Sequence, residues 1–140
     1  MAGLADAGVA LHSREVGDFQ MHEARAATLR MFASDPPDGL FVANDHMALA
    51  VLDTLRFELG LSVPGDVSVL GFDDVPAAAW PAYNLTTVRQ QANRMVEQTV
   101  QILLAKIDDI ETPARRVELD GPLIVRGTAR IPEGWTHARL

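Results

Sequence analysis

The sequence contains no cysteine. That one absence removes disulfides, thiolate nucleophiles, iron–sulfur clusters and thiolate zinc sites together. Lysine is nearly missing too, since Lys106 is the one lysine among 12 basic residues, which leaves a Schiff base or a phosphate-gripping loop lysine almost nowhere to sit. No run approaches the roughly 18 uninterrupted apolar residues that a spanning helix needs. Met1 to Arg14 also lacks the basic-then-apolar order of a secretory signal. The expectation is a cytoplasmic chain with no membrane contact and no cofactor. Cations are the minority charge: 12 basic against 19 acidic residues give a net charge of −7, so the surface repels phosphate backbones and this chain alone is not expected to bind DNA. Carboxylate, amide, hydroxyl and histidine chemistry remains.

What is present suffices for one domain. A length of 140 residues sits within the usual range of about 100–200 per domain, and 48% apolar with 22% charged residues is ordinary for a globular protein. Met1 to Gly8 reads as a helix tail stopped by glycine, and Val9 to Val16 as a mixed segment holding a short strand. From Gln20 to Ala33 apolar residues recur at helical spacing, with Asp18 placed to cap the helix. A dense turn, Ser34-Asp35-Pro36-Pro37-Asp38-Gly39, follows. Leu40 to Ala43 is a short apolar run, as a doubly buried strand would be. The stripe Ala48, Val51, Leu52, Leu55 and Leu59 marks a helix ended by Gly60, and Val67 to Phe72 is a second β-rich run. Strand, helix and strand with short joints predict a right-handed βαβ unit, hence an α/β fold with a Rossmann-like parallel sheet and flanking helices. Val75 to Tyr83 reads as a loop or broken turn, and Leu85 to Val88 as an extended piece. A helix is expected from Gln91 to Ile107, short strands at Val117 to Leu119 and Leu123 to Val125, and a loose tail from Ile131.

In open parallel sheets ligands sit beyond the carboxyl ends of the strands. Two consecutive strands here end in Asn44-Asp45 and Asp73-Asp74. If the strands are neighbours, about 4.8 Å apart, Asn44 and Asp73 converge on one small ligand, and amide plus carboxylate suits the hydroxyls of a sugar or nucleoside. Simpler readings stand beside this one: Asn44 or Asp45 caps the next helix, Asp45 more readily, and Asp73-Asp74 is a solvated turn. Phe19, at another corner before a helix, either stacks on a ring or plugs the core. His12, His22, His46 and His137 lack metal-ligand spacing, and no serine sits in a nucleophile elbow, so neither a metal nor a catalytic residue is expected. An acidic pair could serve magnesium-dependent phosphoryl chemistry, but the lysine or glycine-rich loop that usually accompanies it is not present.

The segments Phe41-Val42-Ala43-Asn44-Asp45-His46-Met47-Ala48-Leu49-Ala50, Val63 to Asp74, Leu85-Thr86-Thr87-Val88-Arg89-Gln90 and Leu123-Ile124-Val125-Arg126-Gly127-Thr128 closely resemble the LacI/GalR family of bacterial transcriptional repressors, in order and spacing, over about residues 3–130. The resemblance implies an incomplete C-terminal lobe of a type I periplasmic-binding-protein-like effector domain. Residues 1–86 would form part of that lobe, 87–112 a crossover and a helix of the other lobe, 113–130 returning strands, and 131–140 a tail. It implies effector contacts at Phe19, Asn44, Asp73 and Gln90. It also implies a homodimer interface involving Leu49, Leu52, Trp80 and Tyr83, although Leu49 fits core packing equally well. Operator DNA would be reached only through a helix-turn-helix headpiece not found in this sequence, and the family's effector-gripping arginine has no counterpart here. The expected function is effector sensing, most simply of a sugar, in a transcriptional regulator and not an enzyme. A transporter's sugar-binding protein and a magnesium-dependent phosphotransfer or hydrolase domain are the rivals.

Overall fold

A computed structural model describes residues 2–109 and 113–133. Helix α1 (Ala2–Asp6) closes in a turn where Gly8 takes φ +68° and its N–H donates to the Ala5 carbonyl at 3.0 Å, while the Val9 N–H reaches the Leu4 carbonyl at 2.8 Å. Glycine adopts that left-handed conformation without a Cβ penalty. Helix α2 spans Met21–Met31. Strand β1 (Gly39–Phe41) leads to helix α3 (Asp45–Asp53), which runs on as a π turn over Thr54–Glu58 until Gly60, at φ +67°, ends it. Strand β2 (Ser68–Asp73) is followed by a 3₁₀ turn at Pro76–Ala79, strand β3 (Thr86–Arg89), helix α4 (Ala92–Asp108) and the short strand β4 (Leu123–Ile124).

The sheet order is β1-β2-β3-β4, parallel across the first two pairs and antiparallel at the last. The expected βαβ unit is therefore present, with Leu40 opposite Val69 and Phe41 opposite Leu70. Its core gathers the inner stripe of α3 and the following π turn (Ala48, Val51, Leu52, Leu55) on Val67, Val69 and Leu85, all buried. The stripe is buried because residues three and four apart share one helix face.

Several expectations fail for physical reasons. No strand forms between Val9 and Val16, and Val9, Leu11 and Val16 stand exposed; an extended segment becomes a strand only beside a partner, and none of the described strands runs next to it. Val117 to Leu119 is likewise irregular. Asp18 does not cap α2: it takes φ +47°, and the cap position falls to Gln20, whose side chain makes no capping bond. The tail from residue 134 onward lies outside the described residues.

Gly71 sits mid-strand where its neighbours are β-branched or large. A Cβ built there would collide with Asp45 Oδ1 and lie 3.0 Å from Leu85 Cδ2 and 3.3 Å from Thr87 Oγ1. Gly39, by contrast, meets nothing within 4 Å. Gly71→Ala is expected to lower stability by about 1–3 kcal/mol, the usual cost of overpacking a filled core, and Gly39→Ala to change it little. Urea unfolding midpoints of the two variants check this, and equal midpoints would contradict it.

Candidate functional site

The carboxyl ends of β1, β2 and β3 and the amino ends of α2 and α3 meet along one edge of the sheet. Asn44 stands at the N-cap of α3 in extended backbone, and its Oδ1 accepts the Met47 N–H at 2.9 Å. The capping role that sequence assigns more readily to Asp45 thus belongs to its neighbour. Asp45 is fully buried: Oδ1 accepts the Thr87 hydroxyl at 2.6 Å and Oδ2 the Val75 N–H at 3.0 Å. Nothing in the sequence marks this residue as a buried anchor except the small Gly71, whose missing side chain makes room for it.

The register brings Asn44 and Asp73 to the same edge. Phe41 lies opposite Leu70, the Val42 N–H donates to the Leu70 carbonyl at 2.8 Å, and both chains then run three residues further to Asn44 and Asp73. Asn44 thus lies three residues beyond β1 at the start of α3, and Asp73 ends the neighbouring β2. Gln90 joins them from the end of β3. Its Nε2 donates to Asp73 Oδ1, and its backbone N–H approaches the Asp73 carbonyl at 3.4 Å. Asp73 and Asp74 both adopt positive φ, +124° and +62°, conformations that cost a non-glycine residue on the order of 1–3 kcal/mol each.

Asp74 is not the solvated half of a turn. Its side chain is 5% exposed, with Arg89 Nε at 2.6 Å from Oδ2 and Arg126 Nη2 at 2.6 Å from Oδ1. Burial alone would push its carboxyl up. Hydrogen bonds and charge from Arg126 and Arg89 outweigh that and hold the carboxyl below its ordinary value.

Phe19 is 69% exposed at φ +54° and so is no core plug. The turn carrying it is seated on the first turn of α3: a Cβ on Gly17 would come 2.8 Å from Met47 Sδ, and Met47 is the residue whose N–H binds Asn44. The exposed ring of Phe19 lies two residues along the chain from that contact. The side chains expected to face a second chain divide. Leu52 is fully buried and Leu49 is 7% exposed, both in the core of α3, so neither offers much surface to another molecule. Trp80 is 58% exposed, and Tyr83 is half-buried with its hydroxyl donating to Asp53 Oδ2 at 3.4 Å. Arg56 Nη1 fastens this loop to the helix through the Ala82 carbonyl at 2.7 Å. Two apolar hollows lie away from the polar edge, one between α4 and residues 113–116 and one beside Phe32, Pro37 and Leu59. Among the described residues no three histidine, aspartate or glutamate side chains group to hold a metal, and no helix is long and apolar enough to cross a membrane.

Residues 2–129 match the periplasmic binding protein-like domain family. The chain belongs to that family. The HTH-type transcriptional repressor PurR of Photobacterium profundum is 30% identical over 130 residues, which make up 91% of this chain and 39% of that protein. Among solved structures, a transcriptional regulator CelR–cellobiose complex matches with a TM-score of 0.81 at 32% identity, over 91% of this chain and 40% of its own. A LacI transcriptional regulator from a Rhodococcus species matches with a TM-score of 0.70, also at 32% identity, over 79% of this chain and 40% of its own. The chain thus spans about two fifths of the length of the curated relative named here. Asn44, Asp73 and Gln90 all lie within the residues matched to the periplasmic binding protein-like domain.

The Asp74 cluster sets a pH dependence. A carboxyl held below its unfolded value contributes stability that is complete above about pH 4 and is lost as pH falls through the lower, folded value. Asp74→Asn is therefore expected to be less stable than the parent at pH 7 by about 1.5–3 kcal/mol, the scale of hydrogen bonds to charged groups. The difference should shrink as the pH drops below about 4. Urea midpoints at pH 7 and pH 3 measure it, and a gap that stays constant or widens in acid would contradict the assignment.

Proposed function

We propose that this chain is the effector-sensing part of a LacI/GalR-type transcriptional regulator and that its effector is a sugar. The observation that carries the reading is the hydrogen-bonded pair Asp73 and Gln90 at the carboxyl edge of parallel strands, with Asn44 just beyond the neighbouring strand, and the exposed ring of Phe19 supports it. Carboxylate and amide groups exchange donors and acceptors with vicinal hydroxyls, and an exposed aromatic offers an apolar face to a sugar ring. The solved relative carrying cellobiose supports the sugar class over the nucleoside one. The relatives compared are regulators, not enzymes or transport proteins, which favours sensing over the solute-transport alternative. A regulator of this kind works in the cytoplasm.

Residues 1–86 and 113–130 are read as one lobe, and 87–112 as a crossover with a helix belonging to a second lobe. The state of α4 supports this division, because not one of its described residues is buried while Val96, Val100, Leu103 and Ile107 are exposed. Ligand held between two lobes favours one lobe arrangement over another, and that difference is what DNA-binding heads would read. DNA contact itself belongs to a headpiece and not to this chain, whose net charge is −7. Homodimerisation would use the Trp80 loop, where Trp80 and Tyr83 hold the available surface.

A single wall surrounds little of a ligand, whereas small-molecule sites bury most of theirs. The isolated chain is therefore expected to bind cellobiose or monosaccharides with Kd of about 1 mM or weaker, with NMR shifts confined to the neighbourhood of Phe19, Asn44, Asp73 and Gln90. Shifts produced by nucleosides and not by sugars would overturn the effector class. Micromolar binding that disappears in Asp73→Ala would overturn the reading of this chain as one wall of a larger site. A DNA mobility shift that survives physiological salt would contradict the assignment of DNA contact elsewhere.

A further inference from the structure

The Asp73-Asp74 pair poses a physical question, because two consecutive non-glycine residues at positive φ persist only where the surroundings hold them. The holding is visible on both sides. Beyond the pair, the Val75 N–H is bound by Asp45. At the pair, Asp74 receives Arg89 from the end of β3 and Arg126 from just beyond β4. Arg126 is fixed independently of Asp74 through its side chain and backbone, and Arg89 through its backbone. Arg126 donates through Nη1 to the Leu85 carbonyl at 2.7 Å and through its backbone N–H to Thr86 Oγ1 at 2.9 Å, and the Arg89 N–H donates to the Pro122 carbonyl at 2.9 Å. Asp74 is thus gripped by two arms that are themselves anchored to the sheet.

We propose that Asp74 is the positioning residue of the effector wall: clamped by Arg89 and Arg126, it keeps the Asp73-Asp74 backbone in the conformation that aims the Asp73 carboxylate at Gln90. The clamp sets the spacing of two polar groups before any ligand arrives. Asp74 itself, 5% exposed and occupied by two arginines, acts through Asp73. A surface ion pair serving stability alone would have one partner and little burial, and its loss would leave Asp73 and Gln90 where they are. The proposal rests on the effector reading for its purpose, but its first readout needs no ligand.

The test is ¹H–¹⁵N spectroscopy of the 140-residue chain, following the Gln90 side-chain amide and the Arg126 guanidinium. In the parent the Gln90 amide is expected away from its free position and slowed in hydrogen exchange. In Asp74→Asn it should move to the free position and exchange about tenfold faster, the equivalent of losing roughly 1.4 kcal/mol of hydrogen bonding, while signals from α2 and α3 stay in place. Asp73→Asn, in contrast, should disturb Gln90 and leave Arg126 unchanged. If Asp74→Asn does not fold, Arg89→Gln removes one half-exposed arm and should produce an intermediate shift at Gln90. A Gln90 amide unaltered by Asp74→Asn or Arg89→Gln overturns the proposal. Cellobiose titration adds the functional arm, with about tenfold more sugar expected for the same shift at Gln90 in Asp74→Asn. A parent that responds to nucleosides and not to sugars, while its Gln90 amide still answers to Asp74→Asn, would sink the sugar reading and uphold the positioning role.

Discussion

The buried carboxylate of Asp45 is the contact on which the sheet edge depends. It begins α3, yet it reaches across to the hydroxyl of Thr87 in β3 and to the N–H of Val75 just past β2. A buried charge is costly unless its oxygens are satisfied. Here each oxygen accepts a hydrogen bond, and the carboxylate lies at a helix N-terminus, where the aligned peptide dipoles favour negative charge. One residue thereby ties a helix, a turn and a strand into a fixed relation. Asn44, Asp73 and Gln90 lie within three residues of Asp45, Val75 and Thr87, so their spacing follows from an interaction that none of them makes.

This also explains why the central strand gives up a side chain at Gly71. Glycine in a strand interior weakens the strand, and it often marks a close approach by another group. The approaching group is Asp45 Oδ1, with Leu85 and Thr87 close behind. In sequence terms the glycine in Val69-Leu70-Gly71-Phe72 was the one available sign of the buried carboxylate. An aspartate beside an N-cap otherwise reads as a solvated end.

The βαβ unit was legible because its signals are local: apolar runs bounded by turn residues, and a stripe at helical spacing ended by glycine. The placement of Asn44 and Asp73 on one edge followed from strand adjacency alone. What escaped was decided by partners distant in the chain. Val9 to Val16 has strand composition but no neighbouring strand among the described residues, so it stays irregular. Asp18 has a capping side chain, yet its left-handed backbone leaves the cap position to Gln20. Asp74 resembled a solvated turn residue because Arg89 and Arg126, which bury it, lie 15 and 52 residues further along. The helix from Gln91 to Ile107 was readable, but its exposed apolar side chains do not name what covers them.

If Asp73 and Gln90 are preset by Asp74 and Asp45, little ordering cost is left for ligand binding to meet at this wall, and the wall offers nearly the same contacts in every lobe arrangement. A ligand shifts a conformational equilibrium only by its difference in affinity between states. In the two-lobe reading, that difference must then come from groups that approach when the cleft closes and not from Asn44, Asp73 and Gln90. On this view the described edge selects which ligand is held. The opposite wall determines how strongly holding it moves the lobes, so substitutions at the two walls should separate recognition from response.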